Sequence, residues 1–408
     1  MATEVRPIER HELESFVSML ETSAGRHPTP DAVVDAAARY LLPRTLAAFV
    51  DGRIVGGTGS ELIELTVPGD VVAPAAKITL TGLLPGHRHR GLASTLMRRQ
   101  LEDLHADGEP MAVLTTAQSG VPGRHGFGPA TKAMAIELTP VGRRPRADMN
   151  SERVRLVDRG DATTALPCVF DQHRRHQVGQ VSRSDAFWRA WFTDDPLLRT
   201  GPSERFVAVA DDGRGGIDGY LTYRLAYGPL REEPVHELIV EDLVAATADA
   251  RRSLWGFCVE FDQASQVSAW NVPIDEPLPW MLSDHRAVRV TAVRDFLQLR
   301  LVDVPAALAR RRYATADRVA IDVNDEALAA NNRRFLVEGG PDEARCEPTD
   351  SQADLAASAA DLASIYLGGV DVTTLVRAGR VTEYTSGAAR RADVMFGWRP
   401  APWTITDW

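Results

Sequence analysis

Apolar residues follow helical and strand spacing in turn along the first 140 residues or so. RHELESFVSMLETSA has apolar positions at helical spacing, and HRGLASTLMRRQLEDLHADG predicts a second helix that ends at Gly108. TLAAFVDGRIVGGTGSELIEL predicts two strands joined at an Asp51-Gly52 turn, and AKITLTGLL, AVLTTA and TKAMAIEL predict further strands. Strands on both sides of a helix predict a mixed α/β domain.

The middle of the chain repeats this pattern. FVAVADDGRGGIDGYLTYRL again predicts strand, turn and strand, and VHELIVEDLVAATADARRSLWGFCVEF predicts a strand, a loop and a helix. The polar, Arg- and Pro-rich VGRRPRADMNSERV reads as a linker. We therefore predict a first domain over 1–145, a degenerate second copy over 146–292, and a third domain over 293–408. The second copy has no arginine–glycine loop before its helix, so we expect it to bind no cofactor.

The third section mixes strand and helix patterns. VAIDVNDEALAANNRRFLVEGG predicts two strands around a polar turn, and DLAASAADLASIYLGGVDVTTLVRAGRV predicts a helix that breaks at Gly368-Gly369. The chain closes on DVMFGWRPAPWTITDW, whose aromatic residues are typical of simple packing.

Composition narrows the function classes. The chain has 408 residues and a net charge of −10, which argues against nucleic acid and an anionic membrane as main partners. No signal-like start and no long apolar run is present, which favours a cytoplasmic location. The three cysteines have neither disulfide nor metal spacing. Lys77 and Lys132 are the only lysines among 46 basic residues.

The segment LLPGHRHRGLASTLM carries the strongest chemical signal. It places Arg88, His89, Arg90, Gly91 and Ala93 between a strand and an amphipathic helix. The first turn of a helix offers free backbone N–H groups and a partial positive charge, and glycine lets an anion approach closely. The arginines add charge-assisted hydrogen bonds. The pattern therefore predicts a pyrophosphate-binding loop.

This loop resembles the acyl-CoA loop of the GCN5-related N-acetyltransferases (GNAT). Seven segments in order resemble one branch, the Eis ("enhanced intracellular survival") family: LTVPGDVV, LPGHRHRGL, GRHGFGPAT, EPLPWMLSDHRAV, LRLVDVPAALARRRY, ARCEPTD and SIYLGG. The resemblance implies two tandem GNAT-like domains followed by a sterol-carrier-protein-like domain. It also implies an acetyl-CoA-dependent N-acetyltransferase related to aminoglycoside-modifying enzymes, with a small-molecule amine as partner, no metal, and a homo-hexameric assembly.

The resemblance also assigns roles to residues. The strand that polarises the acetyl carbonyl would be Thr81, Gly82 and Leu83, and Ala117 and Gln118 would lie beside the pantetheine. The α-carboxylate of Trp408 would act as the base or position the amine, which gives the aromatic tail a role beyond packing. The residues expected to hold the pyrophosphate are Arg88, His89, Arg90, Gly91, Leu92, Ala93 and Ser94.

The proton donor is where the sequence departs from the family. The family places a tyrosine before the Gly-Arg of the glycine-rich loop, and this chain has Pro122 there. Proline has no hydroxyl and no backbone N–H. His125 could replace the acid, Ser119 or Thr116 could relay a proton through water, or the thiolate could take its proton from bulk water. A changed chemistry is the remaining alternative.

The acceptor region, ETSAGRHPTP, is less aromatic and less acidic than in the family, which makes a polycation a less favoured acceptor. The candidate residues of the acceptor pocket are Arg26, Tyr40 and Asp407. Glu14 and Glu21 are typical of solvated helix carboxylates. Three hypotheses remain open at this point. The first is an N-acyltransferase, the second a CoA-fold protein with altered or lost transfer chemistry, and the third an apolar-ligand carrier that uses the third domain.

Overall fold

A computed structural model describes residues 3–28, 42–115, 122–139, 144–146, 148–194, 202–227 and 235–408. The chain forms two compact units. The first unit comprises Met1–Thr131, Phe296–Arg399 and Asp407–Trp408, and the second comprises Lys132–Asp295 and Pro400–Thr406.

The elements alternate along the chain much as the hydrophobic pattern predicts. The strands are β1 Thr3–Pro7, β2 Thr45–Val50, β3 Arg53–Val67, β4 Val71–Leu83, β5 Met111–Thr115, β6 Gly128–Pro129, β7 Lys132–Leu138, β8 Val154–Val157, β9 Phe206–Asp211, β10 Ile217–Tyr227, β11 Val235–Ala245, β12 Gln266–Val272, β13 Val288–Asp295, β14 Leu297–Leu301, β15 Asp317–Asn324, β16 Arg334–Gly339, β17 Ala344–Pro348, β18 Leu355–Ser358 and β19 Thr382–Glu383. The α-helices are α1 Leu13–Ser23, α2 Leu92–Ala106, α3 Arg159–Arg174, α4 Asp185–Thr193, α5 Ala248–Glu260, α6 Leu278–Met281, α7 Val304–Arg310, α8 Ala359–Tyr366, α9 Val372–Arg377 and α10 Ala388–Phe396.

The first unit is built on a seven-stranded sheet of order β1-β2-β3-β4-β5-β14-β6. The β2–β3 hairpin turns at Asp51 and Gly52, both with positive φ, as the Asp-Gly signal predicts. Helix α1 buries Phe16 in one apolar cluster of this unit. Helix α2 contributes Leu101 to another. The sheet thereby presents the start of α2 at the end of β4.

The C-terminal part of the first unit has its own five-stranded sheet, of order β17-β16-β15-β18-β19. Its strands β15 and β16 confirm the two strands predicted around a polar turn. The predicted long helix is wrong at its start, because Leu355–Ser358 forms β18, parallel to β15. The helix α8 begins only after Ser358, whose hydroxyl accepts from the N–H of Asp361.

The second unit repeats the layout around a sheet of order β13-β7-β12-β11-β10-β9-β8. One face carries a large apolar cluster that includes Trp255 of α5. The other cluster joins Phe170 of α3 and Trp188 of α4 to Trp403 and Ile405 of the C-terminal segment. The repeated strand–turn–strand and strand–loop–helix patterns thus fold as a second mixed α/β unit.

The two large sheets do not follow the predicted boundaries at 145 and 292. Strand β7, predicted with the first domain, pairs with β12 and β13 in the second sheet. Strand β14, predicted with the third domain, lies between β5 and β6 in the first sheet. Each large sheet therefore contains a strand that the sequence pattern assigned to a neighbouring domain. The domain limits stay a prediction.

Candidate active site

The site is built around an opening between two parallel strands of the first unit. Strands β4 and β5 pair only at Ala76–Ala112 and Lys77–Val113, although β4 continues to Leu83. On its other edge β4 carries a bulge, because its pairing with β3 shifts between Gly57 and Gly59. Among the described residues, β4 beyond Lys77 therefore pairs with β3 and not with β5, so its edge toward β5 is open to a ligand.

Thr81, Gly82 and Leu83 form the end of β4 beside this bulge. The hydroxyls of Thr81 and Thr58 lie 3.2 Å apart. A Cβ on Gly82 would lie 2.4 Å from Oγ of Ser23, so only glycine allows helix α1 to approach the strand this closely. The structure therefore brings the predicted carbonyl-polarising segment to the mouth of the opening.

The predicted pyrophosphate loop lies at the start of helix α2. Gly91 is the N-cap residue with φ of 81° and no side-chain cap. The first turn thus leaves backbone N–H groups uncapped by any side chain, which suits an anion. His89 and Arg90 are exposed in the same turn, and Leu92, Ala93 and Ser94 begin the helix.

Arg88 has a second role in this loop. Its Nη2 donates to the carbonyl oxygen of Ser23 at 3.1 Å, and its Nε donates to that of Leu83 at 3.3 Å. The guanidinium therefore ties the loop to the end of α1 and to the end of β4. This arrangement fits a CoA pyrophosphate, since the chain supplies an uncapped helix start, a left-handed glycine and exposed cationic side chains together.

The C-terminal residue lies where β4 and β5 separate. The Thr115 hydroxyl at the end of β5 donates to a terminal oxygen of Trp408 at 3.4 Å. Lys77 Nζ, on β4, lies 5.5 Å from the centroid of the Trp408 ring and 2.8 Å from Oε2 of Glu61. The terminal residue is thereby held beside the opening by groups from both strands, with its carboxylate bonded to Thr115 of β5.

Asp407, the predicted acceptor-pocket acid, is exposed and its Oδ1 accepts from the N–H of Trp408 at 3.0 Å. Arg26 is also exposed and pairs with Glu21, with Nε and Oε2 2.6 Å apart. This hydrogen bond lowers the pKa of Glu21. Both Arg26 and Asp407 are therefore accessible to a solute.

The glycine-rich turn places His125 in the interior. Pro122 begins a short 3-10 turn that ends at His125, and His125 is 7% exposed. Burial lowers its pKa, and the charges of Arg98, Arg300 and Arg124 lower it further. The neutral imidazole is therefore the favoured form, which does not favour His125 as the replacement acid. Its predicted role stays untested.

Two glycines just after this turn, Gly126 and Gly128, are required by packing. Gly126 has φ of 79°, and a Cβ there would lie 2.2 Å from Nη1 of Arg300. Arg300 is fully buried and pairs with Asp325, with Nη2 and Oδ2 2.5 Å apart. A Cβ on Gly128 would lie 2.0 Å from the carbonyl oxygen of Ala360. The GRHGFGPAT segment is thus specified by side chains far away in sequence.

Several predicted residues lie outside the described part of the chain. They are Tyr40, Thr116, Ala117, Gln118 and Ser119.

Lys77 and Thr115 are site residues that sequence reasoning did not select. Thr115 has no distinguishing signal in the sequence. Lys77 had one, because it is one of two lysines among 46 basic residues and therefore stands out from the arginine usage.

The second unit carries a different helix start at the corresponding place. Thr247 caps helix α5, since its Oγ1 accepts from the N–H of Ala250 at 3.1 Å and donates to Oδ2 of Asp218 at 2.8 Å. Asp249 adds a carboxylate to the first turn. A capped, acidic helix start does not favour a phosphate.

Two features are absent from the residues that the structure describes. No helix in this part of the chain has the length and apolar character that a bilayer crossing needs. Among the same residues, His, Cys, Asp and Glu side chains form no group of three or more that could hold a metal ion.

Family models match the chain in three places. Residues 4–130 and 179–301 each match an acetyltransferase (GNAT) domain, and residues 304–405 match a sterol carrier protein domain. The matches confirm the predicted fold class of two GNAT-like domains followed by a sterol-carrier-like domain.

Relatives match nearly end to end. An uncharacterized N-acetyltransferase of Streptomyces coelicolor is 34% identical and aligns with 99% of both chains. The N-acetyltransferase Eis of Mycobacterium tuberculosis is 32% identical over 88% of both chains. The crystal structure of Eis1 from Mycobacterium abscessus superposes with a TM-score of 0.88 at 32% identity, covering 99% of this chain and 100% of that one. The chain therefore belongs to the Eis family of GNAT N-acetyltransferases, whose GNAT domains use acetyl-CoA as co-substrate.

Proposed function

We propose that the chain transfers the acetyl group of acetyl-CoA to an amine of a small molecule, and that the α-carboxylate of Trp408 serves as base or positions the amine. The observation that carries this proposal is the hydrogen bond from Thr115 Oγ1 to a terminal oxygen of Trp408. It holds a carboxylate at the end of β5, beside the stretch of β4 that the family uses for the thioester.

The co-substrate would be held by two parts of the first unit. The uncapped start of α2, with Gly91 at its N-cap, supports pyrophosphate binding, and Arg90 is exposed beside it. The edge of β4 beyond Lys77 that faces β5 supports binding of the pantetheine arm and polarisation of the acetyl carbonyl, because it pairs with no described residue of β5. The Thr247 cap and Asp218 argue against a second co-substrate in the second unit.

The transfer step needs a neutral amine. In the proposed reaction the substrate ammonium gives a proton to the Trp408 carboxylate, and its nitrogen lone pair then forms the new C–N bond. The C–S bond breaks and its electron pair leaves with the sulfur of CoA. The nitrogen then loses a second proton, which reaches the CoA thiolate through solvent, and the Trp408 carboxyl releases the first proton to solvent. A positioned base contributes about 10²–10⁴-fold to such a step.

Pro122 favours a second candidate, a CoA-binding protein with altered or lost transfer chemistry. No hydroxyl is available at this position, and the pKa of His125 is lowered by burial, so the imidazolium is not at hand as a substitute acid. A CoA thiolate is a good leaving group, which supports protonation from bulk water and keeps acetyl transfer as the preferred proposal.

We also propose a homo-oligomer, by likeness to the family's hexamers. Supporting features are the exposed apolar side chains of the second unit, with Trp280 78% exposed and Val293 of the edge strand β13 57% exposed. Sedimentation of Val293→Arg against the unaltered chain tests this, and a monomeric unaltered chain would contradict it.

The proposed activity is tested by the release of CoA thiol from acetyl-CoA with a panel of small amines. Amine-dependent release, with the acetylated amine found by mass spectrometry, is the expected result. If none of the amines gives CoA release, while calorimetry shows that CoA still binds, the second candidate is favoured. Absence of CoA binding would contradict both.

A further inference from the structure

The second unit has an opening between parallel strands that mirrors the opening of the first. Strands β11 and β12 pair from Glu237–Gln266 to Val240–Ala269, while β11 continues to Ala245 and β12 to Val272. The pairing of β11 with β10 also shifts next to this point, as β4 does with β3. The second unit therefore keeps the geometry of an acyl-CoA cleft although its helix start is capped.

The C-terminal segment Pro400–Thr406 lies in this opening. Asn271 of β12 lies beyond the last residue of this strand that pairs with β11. Its side chain accepts from Nε1 of Trp403 at 2.7 Å and donates to the carbonyl oxygen of Thr404 at 3.1 Å. Trp403 and Ile405 belong to the same buried cluster as Val244 of β11. The segment thus contacts β12 directly and shares a core with β11 where the two strands have separated.

The loop after α3 forms hydrogen bonds to the segment, most of them to its main chain. Gln177 Nε2 donates to the carbonyl oxygen of Ala401 at 3.0 Å. The Trp403 N–H donates to the carbonyl oxygen of Val178 at 2.9 Å. Gln180 Oε1 accepts from Thr404 Oγ1 at 3.0 Å and from the N–H of Ile405 at 3.4 Å. Such bonds to the peptide backbone are how a cleft recognises an extended peptide.

The two ends of the segment are fixed by charged groups. Asp275 Oδ2 accepts from the N–H of Ala401 at 2.7 Å. Arg183 Nε donates to Thr406 Oγ1 at 3.0 Å, and its Nη1 pairs with Asp242 of β11 at 2.7 Å. The Arg183 side chain is 1% exposed, so this pair is held in the interior. Both ends of the segment therefore have a dedicated partner.

We infer that the second unit has become a peptide receptor for the chain's own C-terminus. Its ligand class is an extended peptide with an indole at the position of Trp403 and hydroxyl side chains at 404 and 406. The peptide takes up the opening that an acyl-CoA would need, and it ends two residues before the terminal carboxylate. The second acetyltransferase-like unit thereby anchors the C-terminal segment.

The inference is tested on the full chain cut after folding. A site for a specific protease is inserted between Arg399 and Pro400, which are both exposed, and the purified protein is cleaved under native conditions. Gel filtration and mass spectrometry then follow the peptide 400–408. We expect it to stay bound, and its dissociation is timed by dilution into an excess of a fluorescently labelled copy.

Asn271→Leu is the test variant, because it leaves the indole N–H of Trp403 without its buried acceptor. A buried hydrogen bond of this kind predicts dissociation about 10- to 100-fold faster. Ser268→Ala, on the same strand and three residues away, is the matched control and should leave the rate unchanged. Circular dichroism of the uncut variants shows that both are folded.

Immediate loss of the peptide from the cut, unsubstituted chain would overturn the inference, as would equal rates for the two variants. Retention is read without any turnover, so it is separate from the proposed role of Trp408. A retained peptide whose amidated copy exchanges in and supports full acetylation would contradict the proposed role of the Trp408 carboxylate and leave the receptor intact.

Discussion

The docking of Trp408 depends on Lys77, and replacing this lysine should undock the terminus measurably. In Lys77→Met the side chain keeps its length and loses its charge. The ammonium lies 5.5 Å from the ring centroid and the lysine side chain is 14% exposed, so the cation–π contact is neither fully solvated nor fully dry. Such a contact is worth about 1 kcal/mol, between the exposed and desolvated limits.

About 1 kcal/mol corresponds to a roughly fivefold larger undocked fraction. Cleavage by a carboxypeptidase that prefers aromatic C-terminal residues measures this undocked fraction. The cleavage rate follows the undocked population because opening and closing are fast relative to cleavage. Release of free tryptophan from the native chain should therefore rise about fivefold in Lys77→Met. Lys77→Arg keeps the cation and should stay near the unsubstituted rate.

Lys77→Met also removes the ion-pair partner of Glu61. The variant Glu61→Gln controls for this loss, because it breaks the ion pair and keeps the ammonium over the ring. Thr115→Val removes the other contact, whose 3.4 Å length predicts about 0.5 kcal/mol, at the weak end of the usual range. Equal tryptophan release from Lys77→Met, Lys77→Arg and the unsubstituted chain would refute the reasoning that Lys77 docks the terminus.

Three further outcomes follow from the structure. Pro122→Tyr should raise acetylation, by up to about 10²–10⁴-fold if the missing acid limits the rate; no gain with CoA still bound would point to a different chemistry. Gly128→Ala should lower the urea-unfolding free energy by about 1–3 kcal/mol, since its Cβ would meet the backbone of Ala360; an unchanged midpoint would contradict this. Burial, aided by the charge of Arg251, lowers the pKa of His173 to about 3. Below a pH of about 6.5, the unfolded chain therefore binds a proton at His173 that the native chain does not bind. Stability should therefore fall as the pH drops from about 6.5 toward 3, and His173→Gln should flatten that slope in unfolding curves at several pH values; an identical slope would count against the assignment.

Local signals in the sequence predicted local structure well. The helix α1, the Asp51–Gly52 hairpin and the helix after Gly91 each depend on residues close together in the chain, so spacing and turn chemistry were sufficient. The start of α2 was also predicted as an anion site for a physical reason, because the free N–H groups of the first turn, the helix dipole and the flanking arginines all favour an anion.

Partner choice between distant strands was not predictable in the same way. Strand β14 inserts beside β5, and β7 joins the second sheet, because of pairing over long sequence separations that no local pattern records. Leu355–Ser358 has a helical composition and becomes a strand because β15 offers it a parallel edge. Asn271 and Gln180 read as ordinary polar residues until the tail supplies their partners.

We propose above that the α-carboxylate of Trp408 takes part in acetyl transfer. The most direct measurement is acetylation by a chain with one alanine added after Trp408. One extended residue moves the carboxylate by about 3.3–3.6 Å, which exceeds hydrogen-bond tolerance. We expect kcat/KM to fall about 10²–10⁴-fold while CoA binding and thermal stability stay unchanged. An extended chain that acetylates the same amine at the original rate would contradict it.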